Sequence, residues 1–235
     1  MTYSAFYPYY RIQPNYCDLT GTENLMRQIC DYIIDAPIDD YSPPDDNSYP
    51  RCRLWKYLYY DEAQPLNQPL PTINQKMSVL YNPDRATNPP TDKGYRLFIQ
   101  EYTNEAQTNG QTRIYVYPGR LIPSEDNLKV SISINFDIWT NTKYENNLKS
   151  LENVRTYQIA VELLKAFNGL SINGVGTFFF SRAKHPDCGS IILGGADNQN
   201  TGRQLTIALE LATSHINTET ENMPSFGKNN NIKYV

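Results

Sequence analysis

From Leu128 to Ile138 every second residue is apolar: Leu128, Val130, Ile132, Ile134, Phe136 and Ile138 alternate with Lys129, Ser131, Ser133, Asn135 and Asp137. A period of two predicts a β-strand with one face buried and the other wet. A helical period is found twice. Leu25, Ile29, Tyr32 and Ile33 fall on one helical face, with Thr20 or Thr22 placed to cap its start and Pro37 to end it. Leu151, Val154, Tyr157, Val161, Leu164 and Phe167 form a second stripe, with Ser150 as its N-cap and Gly169 where a left-handed cap is wanted.

The other segments are shorter. Arg51–Tyr60 suits a strand or a short helix, Lys76–Tyr81 a strand, and Tyr95–Tyr102 with Thr112–Tyr117 a hairpin around Asn109-Gly110. Gly176–Arg182 and Gln204–Leu211 are predicted strands, separated by a glycine-rich turn that starts at Leu193. Residues 36–50, 63–74 and 82–93 are rich in proline and polar residues, which marks loops and connectors. The pattern therefore predicts an α+β fold: a mixed, mainly antiparallel sheet covered by two helices, with long irregular insertions and extended termini. Its parts are an aromatic, proline-bearing arm over 1–16, a single domain over 17–213 with an insertion over 36–93, and a polar tail over 214–235.

Composition narrows the function. The chain has 235 residues, 19 Tyr and 16 Pro, enough for one domain of this kind. Tyrosine suits surfaces that are both wet and buried against a partner, and base-composition drift raises it equally well. The net charge is −4 with no long basic run, which excludes a protein that grips duplex DNA by its phosphates. No apolar run is long enough to span a membrane, and the first residues lack the basic and apolar regions of a secretion signal. Cys17, Cys30, Cys52 and Cys188 form no C-x-x-C pair, so free thiols in a protein assembled in cytosol are expected.

Candidate chemistry is sparse. His185-Pro-Asp-Cys188 places imidazole, carboxylate and thiol together, as a nucleophilic cysteine or metal site would; a turn at Pro186 and Gly189 accounts for the same residues. Gly174-x-Gly176 and Gly194-Gly195 fit no phosphate-binding fingerprint, because Gly176 leads into a strand. Asp39, Asp40, Asp45 and Asp46 lack a calcium-loop register and form a solvated acidic loop. Arg203, beside Gly202, is placed either on a hairpin surface or against a partner chain. No catalytic set, metal site or cofactor site follows, and the expectation is a protein that is not an enzyme. The alternatives are a non-viral binding module with an aromatic surface, or a hydrolase using Cys188 and His185.

One resemblance adds to this. The strand ending Phe136-Asp-Ile-Trp139, the helix with Val154-Arg155 near its start and Phe167-Asn-Gly169 at its end, Ile172-Asn-Gly-Val-Gly-Thr-Phe178, and the closing strand Leu205–Leu211 occur in that order. Together they resemble tailed-bacteriophage neck proteins of the tail-completion, or tail-terminator, type. The Asn- and Tyr-rich composition is similar to that of neck ring proteins of crAss-like podophages. The resemblance covers about a third of the chain. It implies a structural virion protein, assembled in the host cytoplasm, that forms a cyclic homo-oligomer of about 6 or 12 copies. Its neighbours would be the portal and other neck or tail proteins, with duplex DNA passing through the lumen unbound and no membrane involved. On that basis Tyr3, Phe6, Tyr7, Tyr9, Tyr10 and Arg203 are expected at inter-subunit contacts, and Asp39, Asp40, Asp45 and Asp46 along the channel.

Overall fold

The structure is a computed structural model, and it describes residues 22–34, 47–82, 93–100, 111–123, 129–145, 148, 154–172, 176–194 and 200–212. The arm over 1–16, the tail over 214–235, the acidic residues 39–46, Cys17, Ser150 and the Asn109-Gly110 turn lie outside the described residues.

Among the described residues the elements run α1 (Thr22–Ile34), α2 (Pro50–Tyr59), α3 (Ile73–Ser78), β1 (Leu97–Phe98), β2 (Arg113–Pro123), β3 (Lys129–Asn141), α4 (Thr142–Glu145), α5 (Arg155–Phe167), β4 (Ser171–Ile172), β5 (Gly176–Phe179), β6 (Gly189–Gly194) and β7 (Asn200–Ala212). The strands form one mixed sheet in the order β1-β2-β3-β7-β5-β4, and β6 joins the same edge of β7 as β5. This is the expected α+β architecture. Its spine is the β3–β7 pair, antiparallel from Lys129↔Ala212 to Asn141↔Asn200 without a break.

The alternation along β3 is borne out on the core side. Val130, Ile132, Ile134, Phe136 and Ile138 are buried with Leu205, Ile207 and Leu209 of β7. Helix α1 lies against β2, α5 lies against β3 and β7, and α2 packs on α5. The opposite face of β3 differs from expectation. Ser133 and Asp137 are buried as well, Ser133 beneath the end of β2 and Asp137 between Tyr117 and Gln204. The Ser131 hydroxyl donates to the Lys184 carbonyl at 2.8 Å, and the Ser133 hydroxyl to the Arg120 carbonyl at 3.3 Å.

Several local expectations are corrected. Arg51–Tyr60 is helical: Pro50 stands in the first turn, where its missing N–H costs nothing. Lys76–Tyr81 is not a strand, since Thr72 and Gln75 form a capping box that starts α3, leaving only the bridge Leu80↔Leu97. The hairpin of 95–102 with 112–117 is not formed; β1 runs parallel to β2. That pairing sets Leu97 beside Ile114 in the core and stacks Phe98 on Tyr115 at 4.7 Å on the other face, so both apolar faces are used. In α5 the buried face is Thr156, Ile159, Ala160, Leu163 and Phe167, and Tyr157 stands 45% exposed. Val154, not Ser150, is its N-cap, whereas Gly169 does take the left-handed conformation at φ +85°.

Buried charges tie the helices together. Arg155 is fully buried and donates to the carbonyls of Tyr144, Tyr57, Tyr60 and Glu62 at 2.7–3.2 Å. Arg96, also fully buried, donates to Leu58 O at 2.7 Å and grips both Asp61 oxygens. Both guanidinium groups therefore meet the C-terminal end of α2, where helix carbonyls lack intrahelical donors and the macrodipole is negative. Residues 50–80, inside the stretch predicted as an insertion, thus supply a wall of the common core, with Leu54, Trp55 and Leu58 fully buried.

The first turn of α5 is met by a carboxyl group from α4. Glu145 accepts from the Thr156 amide at 2.9 Å and from the Thr156 hydroxyl. Burial raises the Glu145 pKa, and the Thr156 hydrogen bonds only partly offset this. A carboxyl raised in the fold contributes stability that is complete below the unfolded pKa and is lost as pH rises through the folded one. Glu145→Gln should therefore gain in melting temperature relative to the wild type as the pH rises above about 4. A difference that stays constant over that range would refute this.

Candidate interaction surface

One edge of the sheet is formed by β6, which pairs only with β7 among the described strands and which the sequence pattern did not single out. Its residues are Gly-Ser-Ile-Ile-Leu-Gly, and β-branched residues between glycines are the signal that could have found it. One edge pairs with β7 from Gly189↔Thr206 to Gly194↔Thr201. Among the described residues no strand pairs with the other edge. Ile191 is 56% and Ile192 73% exposed, on opposite faces of the strand. Natural edge strands are commonly blunted by lysine, proline or a bulge; β6 carries no lysine or proline and keeps its register.

Ile192 lies across from Arg203, whose guanidinium sits over the Tyr157 ring at 5.2 Å and donates to the Ser190 hydroxyl at 3.3 Å. Ile192, Arg203 and half-exposed Tyr157 therefore make one ridge along the helix side of the edge. Arg203 is the only residue of the expected inter-subunit set that lies within the described residues, and it lies at this edge. Tyr3, Phe6, Tyr7, Tyr9 and Tyr10, together with Asp39, Asp40, Asp45 and Asp46, fall outside them.

The other side of the edge leads onto a shelf of aromatic rings. Tyr81 stacks on Phe98 at 5.0 Å, Phe98 stacks on Tyr115, and Trp139 and Leu193 complete the cluster. Trp139 lies flat over Gly202: a Cβ there would meet its ring carbons at 2.8 Å, so only glycine fits beneath it. Beside the shelf, Asp137 accepts from the Tyr117 hydroxyl at 2.9 Å and from the Gln204 amide at 2.9 Å. Part of the tyrosine that composition suggested for contact is thus internal. Tyr57, Tyr59, Tyr95 and Tyr115 are all buried.

The His185–Cys188 segment is a turn in the structure. The amides of His185 and Cys188 donate to the carbonyls of Ser181 and His185. The imidazole is fully buried, with Nε2 2.9 Å from the Arg120 carbonyl and Nδ1 accepting from the Asp187 amide. The Cys188 thiol points to the Phe179 carbonyl at 3.7 Å. Both ring nitrogens are committed to backbone groups, and the ring serves to pin the segment across the sheet. Burial pushes the Cys30 thiol up to about 12, so that sulfur stays protonated at neutral pH.

Sequence reasoning missed the β6 edge and also the buried cations Arg96, Arg155, Lys56 and Lys76. Their partners lie far along the chain, so no local pattern announces them.

A family model described as YomW, a phage-derived family with its namesake in a Bacillus prophage, matches residues 52–207, more than half of the chain. The matched region runs from α2 through β6 into β7 and so contains the open edge. No curated protein and no solved structure matches the chain.

Proposed function

Because the chain belongs to the phage-derived YomW family, we propose that it is a structural protein of a tailed-phage virion, forming a homo-oligomeric ring in the neck. The ring joins portal and tail around the DNA channel. Family membership favours this over a non-viral binding module. The observation that carries the ring reading is the bare β6 edge, with Ile191 and Ile192 presented on a stiff β3–β7 spine.

An exposed, regular, apolar edge favours aggregation unless a partner covers it. When the covering element comes from a different surface of the next copy, the contact is head-to-tail, and such contacts close into rings when the rotation permits. A net charge of −4 without a basic run suits a lumen that duplex DNA passes without adhering. Asp39, Asp40, Asp45 and Asp46 face that channel in this reading, and the arm residues Tyr3, Phe6, Tyr7, Tyr9 and Tyr10 face neighbouring subunits.

The purified full chain, examined by mass photometry and negative-stain imaging, should give closed rings of about 6 or 12 copies, alone or with the portal. A chain that stays monomeric in both conditions would contradict the proposal.

A further inference from the structure

The β6 edge has a stated length and chemistry, and both limit what can cover it. It offers six residues, Gly189–Gly194, with a row of backbone groups that no described strand pairs. Ile191 and Leu193 line one face, and Ser190 and Ile192 the other. None of these side chains is charged, so an occupant with charges in its own strand would lose their hydration for no gain.

A second β6 fits poorly. Pairing an edge with its own copy is isologous and closes at two chains, which does not build a ring. The chain's own N-terminal sequence fits better. Thr2-Tyr-Ser-Ala-Phe-Tyr7 is a run of six residues with no charged side chain and no proline, and Pro8 would end the pairing by removing a donor. It alternates Tyr3, Ala5 and Tyr7 on one face with Thr2, Ser4 and Phe6 on the other, so aromatic rings would lie beside the isoleucines on both sides of the edge. By contrast, the last ten residues of the chain, Phe226–Val235, carry Lys228 and Lys233.

Reach allows the strand to come from the same copy or from a neighbour, and the ring reading assigns it to a neighbour. The chain from Pro8 to the start of α1 at Thr22 spans roughly 45 Å when extended. Helix α1 lies against β2, on the far side of the β3–β7 pair from β6. Ile192 is 73% exposed, and a strand that reaches it from a neighbouring copy links subunits, as a ring requires.

We propose that β6 accepts residues Thr2–Tyr7 of a second copy of this chain as an added β-strand, with Phe6 packed against the Ile192–Arg203–Tyr157 ridge. Backbone hydrogen bonds give such an addition its affinity, and the alternate side chains give it specificity. The arm and the edge are different surfaces, so each copy donates to one neighbour and accepts from another. This deepens the ring reading by naming its contact, and it stands without a closed ring as long as copies associate through it.

The test mixes two full-length variants. Phe6→Pro disables the donor, and Ile191→Lys with Ile192→Lys disables the acceptor at two exposed positions, where the wild-type circular dichroism and melting temperature should persist. Each variant alone should associate at least tenfold more weakly than the wild type in sedimentation velocity. Their equimolar mixture should form a species of two chains and no larger one, since only one intact arm and one intact edge remain to meet. Several outcomes would overturn the inference: wild-type-like assembly by either variant alone, no two-chain species in the mixture, or a wild type that stays monomeric. Assembly by the Phe6→Pro variant alone would assign the edge to β6–β6 pairing. If the wild type forms arm-dependent pairs or open strings without rings, the ring reading fails and the strand addition stands. If rings survive both variants, the reverse holds.

Discussion

Arg155→Met should destabilise the domain by about 3–5 kcal/mol, a large share of the roughly 5–15 kcal/mol that holds a folded protein together. Methionine fills much of the same volume but donates nothing. The carbonyls of Tyr57, Tyr60, Glu62 and Tyr144 would then be left without the guanidinium that now serves all four. A buried acceptor stripped of its donor costs about 1–3 kcal/mol, and water entering the gap recovers part of the sum. Two of these carbonyls lie at the end of α2, so the loss should loosen α2 from α5 before the sheet opens. Burial lowers the Arg155 pKa from its ordinary value, yet arginine stays charged at any pH at which the protein folds. Arg155→Lys should therefore fall between the two, because one ammonium cannot span the same set. Urea unfolding followed by circular dichroism measures these losses, and a loss under about 1 kcal/mol for Arg155→Met would refute the account.

Phe167→Ala should cost a similar amount, about 3–5 kcal/mol, by a different route. Its ring is fully buried where three other rings converge: Tyr32 of α1 at 5.2 Å, Phe136 of β3 at 5.3 Å and Phe178 of β5 at 5.0 Å. Truncation opens a cavity that elements from four parts of the chain would have to fill. The Tyr32 hydroxyl also donates to the Ala166 carbonyl at 3.2 Å, which holds α1 over the end of α5 and resists collapse into the gap. Phe167→Leu should recover more than half of the loss. Thermal unfolding of the pair decides the point: equal melting temperatures for the alanine and leucine variants would show that the site relaxes freely.

The parts of the fold legible in the sequence were those where one physical demand acted alone. The core side of β3 needs only apolar burial at every second position, and Val130 through Ile138 show it plainly. Helix α1 was legible for the same reason. In α5 the period was plain but the face was not. Tyr157, Val161 and Leu164 are as apolar as the residues that are buried, and the inward face also carries Arg155, Thr156 and Glu162. Those polar residues are acceptable inside only because Tyr57, Glu145 and Arg53 meet them from elsewhere in the chain. Strand β6 was hidden because its four central residues lie between glycines that suggest turns, and its pairing with β7 depends on register. The edge itself, the main feature of the candidate surface, is a property of sheet order, and a single sequence does not display sheet order. The Thr72–Gln75 capping box, by contrast, stood in the sequence and would have identified α3.

The proposed place of this chain is the neck of a tailed-phage virion. Immunogold labelling of purified particles of a phage that encodes it, imaged by electron microscopy, tests that claim directly. Label is expected at the head-to-tail junction, on one side of the portal vertex and nowhere else. Label on the capsid faces or the tail tip, or particles that lack the chain altogether, would contradict it.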